Sequence, residues 1–327
     1  RTACIAGALR NSVGLAAGDR VALIMGNSPE YLESLNAIFW AGLAAVPVNA
    51  KLHPREMLHI LNDSGASALF VSSDLAPGVG GILDQAPGVR RVFVPGERDY
   101  LALLDAAPIP PSDADAEDLA WLFYTSGTTG RPKGVRETHR MIRAMTASYF
   151  TGVDDIAPDE AMVYAAPLSH GAGMFSFPAM LRGARHVIPE SGSFDVAELA
   201  ALAQSLGKVS LFAAPTMVIR LLQSPSVHAP HRGLRTLYYG GAPMEADVPK
   251  IKAAVLVHHG GEDARLVAAW PAYDRAMTAA GVVHEGHIWP GAVHGFNNDA
   301  TPERYNKAAA DEAWTRTIAW FNKYVRG

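Results

Sequence analysis

Residues 124–135 read YTSGTTGRPKGV: three glycines, three threonines, one serine, and a lysine behind a proline. Glycine reaches the positive φ angles that let successive backbone N–H groups converge on one point, and such a nest holds anionic oxygens. The hydroxyls of Thr125, Ser126, Thr128 and Thr129 add donors around Gly127 and Gly130, and Lys133 adds a point charge suited to phosphate. The loop is not of the Walker A type, which needs glycine before the lysine and Ser or Thr after it. Here Pro132 precedes Lys133 and Gly134 follows. The competing reading is a flexible polar linker, and the apolar run that leads into the stretch and its RPKGV ending oppose it. A second concentration of reactive side chains lies near the end: His258, His259, His284, His287 and His294. A metal centre is not read from them. His258 and His259 point opposite ways on a strand, and His284 and His287 lack the i, i+4 spacing that places two ligands on one helix face.

The elements that would position these residues follow from periodicity. RVALIM (20–25), 45–48, 68–72 and 92–94 are short apolar runs bounded by turn residues, expected as buried strands. Between them, 29–41 carries Tyr31, Leu32, Leu35, Ile38 and Phe39 at helical spacing, and Pro54 opens a helix with Leu58 and Leu61 on one face. The Pro- and Asp-rich 106–118 is expected as a surface loop, and 119–124 as a strand running into the glycine loop. A helix near 137–149, a strand near 161–165 and a further βα stretch through 209–223 to 234–244 follow. From about 246 the expected elements are a strand 250–259 ending in GGED, a helix 268–280, a strand 282–289 and a long helix 303–325. Alternating strands and helices predict an α/β chain of parallel-sheet layers with flanking helices.

At 327 residues the chain has room for one large domain or two ordinary ones. It is 49% hydrophobic and 18% charged, a globular rather than a disordered composition. The net charge of −4, without long runs of one sign, argues against nucleic acid as a partner. Its one cysteine, Cys4, excludes an intrachain disulfide and fits a cytoplasmic setting. The longest apolar run, around 37–50, contains a proline and is too short to span a bilayer. The chain opens at Arg1 inside the helical-looking ACIAGALR, an opening expected of a chain that has been cut into. Oligomeric state is not legible.

TSGTTGRPKGV closely resembles the phosphate-binding signature of the adenylate-forming acyl-CoA synthetase (AMP-binding) superfamily. The resemblance covers about 1–245, through GDRVALIMGNSPEYLESLNAIFWAGLAAVPVN at 18–49, APLSHGAG and YYGGAPM. It implies a carboxylic acid, ATP with Mg2+, and CoA as reactants: an acyl-adenylate forms first, then an acyl-CoA thioester. By the same resemblance Thr125, Ser126, Gly127, Thr128, Thr129, Gly130 and Lys133 cradle the phosphates, stabilising charge on the transferring group. His170 stands at the acyl or carboxylate end of the pocket, and Gly240, Gly241, Ala242 and Pro243 line the acyl and adenine pocket. Alone, His170 reads as a hydrogen-bonded core histidine; in register with the motif it reads as a pocket residue. The sequence departs from the family after Met244. The aromatic-Gly-x-Thr-Glu stretch, the ribose-holding Asp, the hinge and the lid lysine are not found. A possible subdomain boundary falls near 165.

The tail, VPKIKAAVLVHHGGEDARLVAAWPAYDRAMTAAGVVHEGHIWPGAVHGFNND within about 246–327, resembles the C-terminal part of a dienelactone hydrolase, an α/β-hydrolase. That resemblance implies His294 as general base and Asp263 as its orienter. The required G-x-C-x-G or G-x-S-x-G elbow occurs nowhere in the chain. Three functions therefore compete: an acid–CoA ligase impaired by its missing clamp and lid, an ester or lactone hydrolase without its elbow, and a non-catalytic or artefactual fusion of two gene fragments.

Overall fold

A computed structural model describes residues 1–126, 132–224, 233–240, 254–299 and 302–324. The chain divides into two compact units, Arg1–Gly240 and Gly241–Gly327.

The first unit opens with α1 (Thr2–Gly7), β1 (Arg20–Ile24), α2 (Pro29–Trp40), β2 (Ala44–Val48), α3 (Pro54–Ser64) and β3 (Ala66–Val71). These are followed by α4 (Ala76–Gly80), β4 (Arg91–Phe93), α5 (Arg98–Leu104), β5 (Leu119–Ser126) and β6 (Pro132–Thr138). Their strands make a sheet of order β4-β3-β1-β2-β5-β6, parallel except at the β5–β6 hairpin. The continuous apolar run of β1 makes sense in this setting, because both sheet faces are covered. Val21 and Leu23 enter one core with Tyr31, Leu35 and Ile38 of α2, while Ala22 and Ile24 enter another with Met57, Ile60 and Leu61 of α3. Both helices begin where the sequence supplies a cap and a proline. Ser28 accepts from Tyr31 N–H ahead of α2, and Arg55 N–H donates to His53 Nδ1 at the start of α3.

The chain then passes through α6 (His139–Gly152), β7 (Ala161–Val163), α7 (Gly171–Met174), α8 (Ser176–Leu181) and β8 (Arg185–Val187). After these come α9 (Val196–Leu206), β9 (Val209–Ala213), α10 (Pro215–Gln223) and β10 (Leu234–Tyr239). Their strands form a second, all-parallel sheet of order β10-β9-β7-β8. Met162, Tyr164, Leu168 and Ala179 join the same core as Val21 and Trp121, so the two sheets share one hydrophobic layer.

In this unit one expected helix start is wrong. Residues 132–138, including Glu137, are a strand, and α6 begins at His139. Thr138 Oγ1 accepts from Met141 N–H at 3.4 Å and caps the helix one residue beyond where the sequence suggested.

The second unit is a two-stranded parallel sheet of β11 (Val255–Gly260) and β12 (His284–Trp289), with α11 (Ala264–Ala279) between them and α12 (Lys307–Tyr324) after. Residues 302–304 are turns, so the last helix starts four residues later than expected, and α11 starts four residues earlier. Gly286 is required in β12: a Cβ there would lie 1.9 Å from the Trp270 ring. Two of the clustered histidines, His258 and His287, are absorbed by packing. His258 and His287 stack at 5.3 Å across the β11–β12 register. Trp289 Nε1 donates to His258 Nδ1 at 3.2 Å, and His258 Nε2 lies 3.2 Å from Thr317 Oγ1, which donates to the Ala313 carbonyl. This chain of bonds uses His258 as a neutral imidazole, accepting at Nδ1 and donating from Nε2. Burial and the nearby His287 and Arg316 push its pKa down to about 4.

Candidate phosphate hairpin and acyl-site segments

The glycine loop is carried by an antiparallel hairpin. Tyr124 pairs with Gly134, Thr125 with Lys133, and Ser126 with Pro132. Two residues of α3, one turn apart, hold its stem. His59 Nε2 lies 3.2 Å from the Pro132 carbonyl, and the Tyr124 hydroxyl donates to Asp63 Oδ2 at 2.7 Å. Burial and that carboxylate raise the Tyr124 pKa far above the usual phenol, so it stays a donor. Gly134 lets the Tyr124 ring close over the hairpin, since a Cβ there would lie 3.0 Å from it. Lys133 is exposed and has no partner among the described residues. The expected cradle residues Gly127, Thr128, Thr129 and Gly130 lie outside the described residues.

Alternation along β5 divides its side chains between two cores. Leu122 and Tyr124 pack with α3, whereas Trp121 and Phe123 belong to the layer shared with the second sheet. Thr125 continues the second face, and so do its cross-strand neighbours Lys133, Val135 and Glu137. On this face Phe123 meets the His170 ring edge-on at 5.8 Å. His170 sits just ahead of α7, and Ser169 Oγ lies 3.0 Å from its Nδ1. Burial lowers its pKa below the ordinary value, so the imidazole is neutral at pH 7.

The two segments that the family resemblance assigns to an acyl pocket meet around one ring. A Cβ placed on Gly171 would lie 3.4 Å from the Phe212 ring, and one placed on Gly240 would lie 3.5 Å from it. Phe212 stacks on Phe175 at 5.3 Å, which fixes its plane. Gly241, Ala242 and Pro243 lie outside the described residues.

In the second unit Asp263 and His294 are adjacent. Asp263 caps α11 by accepting from Leu266 N–H, and its other oxygen accepts from His294 Nδ1 at 2.6 Å. The imidazole is largely exposed, so its Nε2 faces solvent. Gly260 permits this approach, because a Cβ there would lie 2.5 Å from the Val293 carbonyl.

Sequence reasoning missed Asn27, His59, Asp63, Phe123, Glu137 and Phe212, whose roles depend on partners distant in sequence. Glu137 has no partner among the described residues, and burial raises its carboxyl to about 7. A raised carboxyl contributes stability below its unfolded value near 4.5, and this is lost as pH rises through about 7. Glu137→Gln removes that loss. At pH 8 its unfolding free energy should exceed wild type by on the order of 1 kcal/mol, since the group keeps a solvent-facing side. At pH 5 the two should be nearly equal. Denaturant titrations at both pH values check this, and an equal difference at pH 5 and pH 8 would contradict it.

Comparison with known proteins places these features in context. The family model described as AMP-binding enzyme matches residues 1–262, and that of the dienelactone hydrolase family matches 228–325. Feruloyl-CoA synthase from Amycolatopsis sp is 37% identical over 253 residues, covering 76% of this chain and 49% of that protein. Long-chain-fatty-acid–CoA ligase FadD13 from Mycobacterium tuberculosis is 31% identical over 252 residues, covering 74% and 49%. The chain thus spans about half the length of these relatives. Among solved structures, the N-terminal domain of FACL13 from Mycobacterium tuberculosis shares the fold with a TM-score of 0.69 at 24% identity, covering 90% of this chain and 68% of that one. The ATP-bound RpMatB-BxBclM chimera B3 aligns with a TM-score of 0.66 at 27% identity, covering 75% and 49%.

Proposed function

Because the chain belongs to the AMP-binding enzyme family, we propose that it acts as an AMP-forming acid–CoA ligase, working on a planar, aromatic carboxylic acid. The observation that carries the reading is the hairpin. It sets Lys133, without a side-chain partner among the described residues, opposite Thr125, on the strand face that also packs against His170. In the first step a carboxylate oxygen bonds to the α-phosphorus of ATP and pyrophosphate leaves. In the second the CoA thiolate bonds to the acyl carbon and AMP leaves. Lys133 and the loop hydroxyls would hold the phosphates, and Mg2+ would neutralise charge on them when bound. Neutral His170 would orient the acid by hydrogen bonding, its ring held uncharged by burial. The Phe123 and Phe212 rings around the His170 segment favour a flat acid, and feruloyl-CoA synthase is among the relatives. We place the boundary between the synthetase-like and hydrolase-like parts at about 245, and the protein in the cytoplasm, where Cys4 stays reduced. Departures from the family after Met244 would weaken closure over the adenylate and slow both steps.

The test is acid-dependent release of pyrophosphate from MgATP by the full chain, with aromatic and long-chain acids side by side. Release with aromatic acids supports the reading. No release with any acid, together with no MgATP binding, removes it.

A second reading rests on the Asp263–His294 pair. The imidazole Nε2 could take a proton from water attacking an activated ester. Turnover of a chromogenic ester that disappears in His294→Ala would support this. A fusion without catalysis predicts neither activity.

A further inference from the structure

Asn27 follows β1 in the turn MGNSPEY. Its Nδ2 donates to the carbonyls of Tyr164 and Ala166 at 2.9 and 2.8 Å, and its Oδ1 accepts from Leu168 N–H at 2.9 Å. Both amide hydrogens and one lone pair are therefore used, and the order carbonyl, carbonyl, N–H fixes which way the carboxamide faces. The partners lie 137–141 residues away. They are the backbone groups of the segment that leaves β7 and runs directly into Ser169 and His170. These groups lie beyond the β7 ladder and need partners. No other residue type of that length supplies two donors and an acceptor at once. Aspartate has no donor and glutamine is one methylene longer.

We infer that Asn27 is a positioning residue for His170, tying the end of the sheet that bears the phosphate hairpin to the segment that presents the imidazole. β1 lies in the same sheet as β5 and β6, so the tie sets the distance between the two halves of the site. Phe123 packs on the ring and Ser169 meets Nδ1, but neither holds the backbone from 164 to 168. Asn27 does. The inference rests on the proposed role of His170 as a site residue, and its test is readable without turnover.

Asn27→Ala in the full chain is compared with wild type in three ways. Hydrogen exchange follows the Leu168 amide, NMR follows the titration of the His170 imidazole, and pyrophosphate release is split into kcat and the KM for ATP. Leu168 should exchange about tenfold faster or more, and the His170 pKa should rise toward the ordinary imidazole value as the loop opens to water. The kcat should fall about tenfold or more, with the KM for ATP within about twofold. Asn27→Asp keeps the acceptor for Leu168 and loses both donors. It should leave the Leu168 amide protected while still moving the His170 titration, and it serves if the alanine variant folds poorly. An unchanged His170 titration in both variants overturns the inference. So does a variant in which the KM for ATP rises while kcat holds. If wild type neither binds MgATP nor releases pyrophosphate with any acid, the ligase reading fails, and the His170 titration still decides whether Asn27 positions that ring.

Discussion

Lys133→Ala should weaken MgATP binding by about one to two orders of magnitude and leave the fold intact. A charge-assisted hydrogen bond to phosphate contributes about 1.5–3 kcal/mol, which is about 10- to 150-fold in affinity. The side chain is exposed and has no protein partner among the described residues, so its removal breaks nothing within the chain. The backbone of Lys133 pairs with Thr125, and alanine preserves that pairing. Lys133→Arg should recover only part of the affinity, because a planar fork replaces a compact charge. Calorimetric titration with MgATP, beside thermal unfolding of the same samples, separates the two effects. Equal affinities for wild type and the alanine variant would show that the hairpin does not hold the nucleotide.

Gly173→Ala should cost the first unit about 3 kcal/mol or more, from one methyl group. Its Cβ would lie 2.0 Å from the Leu168 carbonyl oxygen and 3.1 Å from the Trp121 indole. The indole is fully buried and cannot turn away. Leu168 cannot withdraw either, because its own N–H is held by Asn27. The strain therefore passes into Ser169 and His170, and both stability and acid binding should fall. For a unit of this size the melting temperature should drop by about 6–12 °C. Gly152→Ala is the control. It ends α6, and a Cβ there meets nothing within 4 Å. Melting curves that shift equally for the two variants would refute the steric argument.

The first sheet was legible because β1, β2 and β3 are apolar runs closed by Gly, Asn or Ser. Burial on both faces leaves only Arg20 and Ser67 as polar residues in the three strands, too few to blur the pattern. β6 was not legible. PKGVRET holds a proline, a glycine and three charged residues, which an edge strand tolerates and a central one does not. Only its pairing with β5 makes it a strand. The glycine-rich loop announced itself by composition, but what steadies its stem did not. His59 and Asp63 look like the solvent side of α3 until the hairpin is folded against them. Asn27 reads as an ordinary turn residue, because its three partners lie more than a hundred positions on. In the tail Asp263 was singled out through resemblance, whereas its local task as the cap of α11 followed only from the helix beginning at Ala264.

β5 gives its neighbouring residues to two different layers, Leu122 and Tyr124 to one and Trp121 and Phe123 to the other. Damage along this strand should therefore alternate in kind with each step. A survey of every substitution from 121 to 125 would sort into two phenotypes by parity: even positions loosening α3 and the hairpin stem, odd positions loosening the layer shared by the two sheets and the histidine packed on it. A one-residue insertion before Leu122 would exchange the two sets at once. Tolerance of length change should thus be lowest where the strand itself is most ordinary in composition, and selection on this chain would read the strand in steps of two.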